Sequence, residues 1–367
     1  MEKPDFAKYS ETQLRQILTR IDAERFPDRV EEIHARLAQL EAERATRTDV
    51  EEPKQHDGPP GIAGFWRRSA AFALDWVLLG LVGLLLGLFL QEQFEAMGAW
   101  GRALGFVVAL AYFGTMESRM FQGRTFGKLA LGIKVVSADG APPGFGKALL
   151  RSTVFCVPYF LNHADLGAGY ANVVLPAIQS LLVFGLGGAI VYLYLFNRRT
   201  RQSVHDLLTG AVVVRAGTGV PPLVPVWRGH LAVIAALFVL TFGGVAYFYS
   251  MIGHGVLQPL MLVQQQVSRM PGVRNAGVFQ GTGCSSGDKR TNFLSIKAVT
   301  STRSVDDLDL ARKIAETTLT TYPPAQQLDA FSVTLMHGYD IGIASYWNSR
   351  TFNGSPEDWR QGRVGHD

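Results

Sequence analysis

The sequence predicts an α-helical polytopic membrane protein of about five transmembrane helices, with a cytoplasmic helical hairpin before the bundle and an extracytoplasmic α+β domain after it. Three observations predict this. Long apolar runs are separated by short polar stretches. Lysine and arginine fall in alternate stretches only. After about residue 251 the pattern changes to strand-like segments around one amphipathic helix.

Composition agrees with a mixed chain. Of 367 residues, 47% are hydrophobic and 18% charged, and mean hydropathy is only slightly positive, so very apolar segments are averaged with soluble ones. The net charge of +4 decides little, but the basic residues lie beside apolar runs without interleaved aromatics, so no nucleic-acid partner is expected. Cys156 and Cys284 are too widely separated for a structural disulfide to be expected, and neither has zinc-type spacing. No metal or cofactor is expected. The amino-terminal segment is polar and acidic, so no cleavable signal peptide is expected.

Residues 1–45 contain the hairpin. Ser10 with Gln13 is a capping-box pattern ahead of the stripe Leu14, Ile17, Leu18 and Ile21. Phe26-Pro27 breaks that helix, and Asp28 with Glu31 opens a second one carrying Val30, Ile33, Leu37 and Leu40. Residues 46–61 read as a linker, charged and then rich in Pro and Gly. Spans are expected at about 69–90, 99–116, 149–163 and 173–196, then, after a linker over 216–230, at 231–250. Between the second and third, Leu131–Ser137 reads as a strand ending in the turn Ala138-Asp139-Gly140.

Charge sets the orientation. The stretch 91–98 has no Lys or Arg, 117–151 has six against two acids, 162–170 has none, and 197–228 has five against one. That alternation requires the short run 149–163 to cross, despite Arg151 and Pro158. It puts the amino terminus in the cytoplasm and residues 251–367 outside the inner (plasma) membrane of a bacterium. In that last domain Val273–Gln280, Asn292–Thr300, Phe331–Met336 and Ile341–Trp347 read as strands. Ser304 with Asp307 caps a helix running to about Thr320, with Leu310 and Ile314 facing the sheet.

The sharpest chemical signal is Asp75, the one acid inside the 22-residue run Ser69–Leu90. A carboxylate there costs several kcal/mol unless it is neutral, paired or beside a wet cavity. Arg68 stands two helical turns earlier on the same face. Two readings follow: a protonatable or ion-binding carboxylate in a pathway, or a structural partner of Arg68 or Arg151. His205 and Asp206, after three arginines, similarly read as a proton relay or as a capped amphipathic element at lipid phosphates. Gly83 and Gly87 form a GxxxG suited to the close approach of a neighbouring helix. GRTFGKL lacks the spacing of a phosphate-binding loop. Gly283–Gly287 matches GxSxG, but strand-like sequence follows it where a nucleophile elbow needs a helix, so a hairpin turn is expected. No nucleophile–base pair remains, and an enzyme is not expected.

FWRRSAAFALDW, then MESRMFQGRTFGKLALGIKVVSADG, then Arg151, then RRTRQSVHDLLTGAVVV together resemble the RDD family of prokaryotic membrane proteins over residues 62–215. Arg68 falls on the family's arginine, Asp75 and Asp206 on its two aspartates, Thr125, Gly127 and Lys128 on its TxGK piece, and Glu117 on the acidic position before it. Ala211 stands where the family usually has threonine. The resemblance implies a bundle of a few helices and a transport or ion-exchange role without a defined substrate. On that reading a small ion or solute passes Asp75, tuned by Arg68 and Arg151, with His205 and Asp206 as a cytoplasmic gate. The alternative is a membrane-anchored scaffold that recruits protein partners through residues 1–45 or 251–367, with Arg68, Asp75 and Asp206 structural. Either is compatible with a homo-oligomer in the lipid bilayer.

Overall fold

The computed structural model describes residues 9–19, 21–23, 26–50, 61–164, 174–219, 222, 225–253, 255, 257–284 and 290–366. The chain divides into two units, 1–57 and 58–367. In the first, α1 (Glu11–Leu18) opens on the Ser10 capping box with Gln13, and α2 (Pro27–Val50) starts at the proline that cannot continue a preceding helix. Leu14, Ile33 and Leu37 are buried between them, which is how two short amphipathic helices remove their stripes from water. α2 runs to Val50, so residues 46–50 of the expected linker are helical, and residues 51–60 of it lie outside the described residues.

In the second unit α3 (Phe65–Met97) buries Arg68, Ala71, Asp75, Leu79, Gly83 and Gly87, a stripe spaced by three and four, while its other faces are apolar and exposed. Gly98 at φ +50° reverses the chain. α4 (Gly101–Met116) then returns beside α3, bringing the Tyr112 hydroxyl 2.7 Å from Asp75. A short α5 (Phe126–Ala130) and strand β1 (Ile133–Ser137) follow. α6 (Phe145–Leu161) packs along α4, and α7 (Val174–Ser180) passes through a π-helical turn, Leu181–Leu186, into α8 (Gly187–Phe196). α9 (Val204–Thr209) ends at Gly210 in the left-handed conformation and leads into β2 (Ala211–Arg215), antiparallel to β1. α10 (Arg228–Gly253) lies against α8, with Phe238 on Gly185.

Segments long and apolar enough to cross a membrane are Phe65–Met116, which contains the reversal at Gly98, Val174–Phe196 and Arg228–Ile252. At 17 residues α6 spans about 25 Å, short of a ~30 Å hydrocarbon core.

The last domain is a five-stranded sheet in the order β3-β4-β5-β6-β7: Val273–Cys284, Arg290–Thr300, Ala330–Asp340, Ser345–Gly354 and Gly365–His366. Only the β4–β5 pair is parallel, because α12 (Leu308–Thr321) crosses between them. α11 (Gln258–Ser268), which the sequence reading did not assign, joins α12 and the short α13 (Pro356–Arg360) around Leu294, Ile296, Phe331 and Leu335. Two expectations are corrected. Asp307, not Ser304, is the N-cap of α12, accepting from the Leu310 amide at 2.9 Å. The fourth strand starts at Ser345, because Ile341–Ala344 forms the tip of the β5–β6 hairpin.

That tip enters the bundle. Tyr339, Ile341 and Ile343 are buried with Leu79, Phe94, Ala109, Phe113, Cys156 and Phe160. Glycines make the groove: a Cβ on Gly83 would stand 2.8 Å from the Ala344 Cβ, one on Gly101 2.7 Å from the Asp340 carbonyl oxygen, and one on Gly105 would collide with the Ile341 carbonyl. The Gly83/Gly87 pair therefore admits a β-turn and not the neighbouring helix the sequence suggested. Backbone polar groups buried in such a groove need partners. Here the Ile341 amide donates to the Ala344 carbonyl at 3.0 Å, the Gly342 amide to Asp340 at 2.7 Å, and Tyr159 to the Gly342 carbonyl at 2.8 Å. Arg102 holds Asp340 at 2.5 Å, and Glu95 meets His337 at 3.2 Å and Arg303 at 3.3 Å.

Candidate functional site

The polar residues singled out in the sequence converge at the other end of α3. Asp75 is fully buried and accepts three hydrogen bonds from neutral donors: Tyr112 Oη at 2.7 Å, Thr125 Oγ1 at 2.6 Å and the Gly127 amide at 2.8 Å. The expected partnership with Arg68 or Arg151 is absent, because both arginines are engaged elsewhere. Thr125 N-caps α5, its hydroxyl oxygen accepting from the Lys128 amide at 3.2 Å while its hydrogen goes to Asp75. Gly127 must be glycine at this approach, since a Cβ would run into the Ala71 carbonyl and stand 3.0 Å from the Asp75 carboxyl carbon. The spacing of the TxGK piece is thereby explained: a hydroxyl and an amide for Asp75, then an ammonium for Glu117.

A chain of buried charges runs beside it. Lys128 pairs with one oxygen of Glu117 and Arg151 with the other. Arg151 also holds Asp206 Oδ1 through Nε at 2.9 Å and Nη2 at 2.7 Å, and Arg68 closes the chain on Asp206 Oδ2 at 2.9 Å. Arg68 also donates to the Arg201 carbonyl and lies 5.1 Å over the Tyr194 ring. Asp206 caps α9 as well, accepting from the Ser203 amide at 3.1 Å. The expected capping role at this segment is present. Tyr112 was missed by the sequence reading. Its signal was a tyrosine in an apolar helix, whose hydroxyl requires a partner when buried.

Burial would raise the Glu117 carboxyl, but Arg151 and Lys128 override it and hold it at about 2. Asp206 is held well below the usual carboxylate range, where Arg151, His205 and Arg68 outweigh burial. Burial instead dominates at His205, assisted by Arg151 and Arg68 against Asp206, and lowers it to about 4. Burial thus favours the neutral imidazole of His205 near pH 7. A histidine lowered on folding contributes stability above its unfolded value near 6.5, lost as pH falls through 4; the lowered carboxylates lose theirs below about 4. Thermal unfolding in detergent should show falling stability between pH 6.5 and 4. His205→Asn should flatten that limb and leave the acid limb below pH 4 intact; an unchanged upper limb would contradict the assignment.

A crevice of about 260 Å³ adjoins the charge chain. Arg68, Glu117, Lys128, Arg151 and His205 line its polar end, and Phe72, Phe155, Ile190, Val191 and Leu195 its apolar walls. Among the described residues no group of three or more His, Cys, Asp or Glu could hold a metal ion.

Comparison with curated proteins gives no match. A family model does match, over residues 62–210, the stretch that contains Arg68, Asp75, Glu117, the Thr125–Lys128 piece, Arg151 and Asp206. Arg68, Asp75, Glu117, Thr125, Arg151 and Asp206 are buried together, and the model they match over residues 62–210 is that of the RDD family.

Proposed function

We propose that the protein is a membrane-anchored scaffold in which the RDD domain carries the α+β domain by receiving its β5–β6 tip, with Arg68, Asp75 and Asp206 structural. The lodging of Ile341–Ala344 among α3, α4 and α6 carries this reading: a simple exchanger has no use for a second domain wedged into its helices. The three neutral donors around Asp75 support it too, since they occupy both positions on Oδ1 and one on Oδ2 and so account for most of what the carboxylate can accept. On this reading the chain lies in a bacterial inner membrane, with the Arg68–Asp206 end cytoplasmic, the α+β domain outside, and α6 as a short fifth crossing. The α+β domain and residues 1–45 recruit protein partners, and no catalytic step is assigned.

The second reading, exchange of a small ion or solute past Asp75, is favoured by one observation, a fully buried carboxylate in an apolar span. Liposomes containing the protein, with internal pH followed under imposed Na⁺, K⁺ and proton gradients, separate the two. The scaffold predicts no flux from either wild type or Asp75→Asn, and loss of partner recovery when residues 258–367 are removed. Flux abolished in a folded Asp75→Asn protein would replace it with the exchanger.

A further inference from the structure

The crevice beside the charge chain is built differently from the rest of the bundle. Three cations, Arg68, Lys128 and Arg151, and one carboxylate, Glu117, line its polar end, and Asp206 pairs with Arg68 and Arg151 from outside the lining. His205 is neutral, and Asp75, held by its own neutral donors, does not line the space. One positive charge is left over at the floor of an otherwise apolar cleft.

The hydrogen-bond balance has the same sense. Both oxygens of Glu117 and both of Asp206 already accept from cations. Lys128 has three N–H donors and uses one, on Glu117. Arg68 has five and uses one on Asp206 and one on the Arg201 carbonyl. Lys128 and Arg68 together keep more unused donors at the floor than Glu117 keeps unused acceptor positions, the condition that suits an anion.

The walls fix the rest of the ligand. Phe72 on α3 and Val191 and Leu195 on α8 line the cleft and are also exposed on the outer surface of the apolar helices, so the mouth faces hydrocarbon. At the other end Tyr194 closes against Phe65, 5.1 Å between ring centroids, and bonds Ser69 at 3.0 Å. A ligand therefore enters sideways from lipid with its charged end first.

We propose that this crevice binds one anionic amphiphile, a singly charged phosphodiester or carboxylate head on Lys128 and Arg68 with its hydrocarbon chain leaving between α3 and α8. A headgroup and the first methylenes occupy the crevice, and the remaining chain stays in the bilayer. The proposal is independent of whether the domain acts as a scaffold or an exchanger.

The test is native mass spectrometry of the full chain in neutral detergent, titrated separately with phosphatidylglycerol, oleate and phosphatidylcholine. One phosphatidylglycerol or one oleate should be retained at least about tenfold more tightly than phosphatidylcholine, the scale of one charge-assisted hydrogen bond. Retention of only the first identifies a phosphodiester, and of only the second a carboxylate. Val191→Trp, which fills the mouth and touches no charge pair, should reduce retention about tenfold, as should Lys128→Gln. Should Lys128→Gln fail to fold, Val191→Trp decides alone. Equal retention of phosphatidylcholine, or retention unaffected by Val191→Trp, overturns the site.

Discussion

Arg151→Met is expected to destabilise the RDD domain by about 3–5 kcal/mol, more than any other single change at the polar end of the bundle. The reason lies in what it leaves behind. Arg151 is the shared partner of Glu117 and Asp206, both 5% exposed or less, and bonds the second through two nitrogens. Methionine fills much of the volume but leaves two buried carboxylates each one cation short. An unpaired buried charge costs far more than the pair contributed when intact. Asp75→Asn should cost only about 1–3 kcal/mol, because an amide oxygen in the place of Oδ1 still accepts from Tyr112 and the Gly127 amide, and the NH2 in the place of Oδ2 disturbs one bond, that from Thr125. Thermal unfolding of both variants in the same detergent should give the larger fall for Arg151→Met. Adding Glu117→Gln and Asp206→Asn to Arg151→Met should recover part of the loss, since removing all three charges removes the unpaired ones. No recovery would mean that shape, not charge balance, makes Arg151 necessary.

Asp75 was legible because an acid inside 22 apolar residues is anomalous under any fold, and Glu117, Thr125, Gly127 and Lys128 were legible through their resemblance to a family pattern. The pairings were not. Helical periodicity places Arg68 and Asp75 on one face of α3, and both are buried there, but it is silent about which distant segments arrive at that face. Thr125 reaches Asp75 across 50 residues and Asp206 reaches Arg68 across 138. Strand β2 was hidden because Ala-Val-Val-Val is a continuous apolar run, which periodicity cannot separate from a buried helix end. The alternation in Ile341–Trp347 was real, but its first residues face helices and not a neighbouring strand. Gly83 and Gly87 carried the matching signal, on the wrong presumed partner, and Gly101 and Gly105 complete the groove from α4.

Gly105→Leu should expel that tip from the bundle. A Cβ at Gly105 meets the carbonyl group of Ile341, which is backbone and cannot rotate away as a side chain could. The tip itself is held in place at Arg102–Asp340 and by its internal turn bonds, so a small shift does not relieve the clash. What opposes expulsion is the burial of Tyr339, Ile341 and Ile343, each worth about 1.5–3 kcal/mol for a large apolar side chain. A branched side chain forced against fixed backbone removes that packing as a unit, because the three residues enter on one hairpin. The readout is the reactivity of Ile343→Cys toward a thiol reagent, in a background carrying Cys156→Ser and Cys284→Ser. The cysteine should be protected with Gly105 in place and should react rapidly with Gly105→Leu. Gly243→Leu on α10 is the control: a Cβ there meets nothing within 4 Å, so the same substitution in an apolar span should leave the cysteine protected. Rapid reaction already with Gly105 in place would show that the tip is not held in the groove, and the scaffold reading would lose the contact on which it stands.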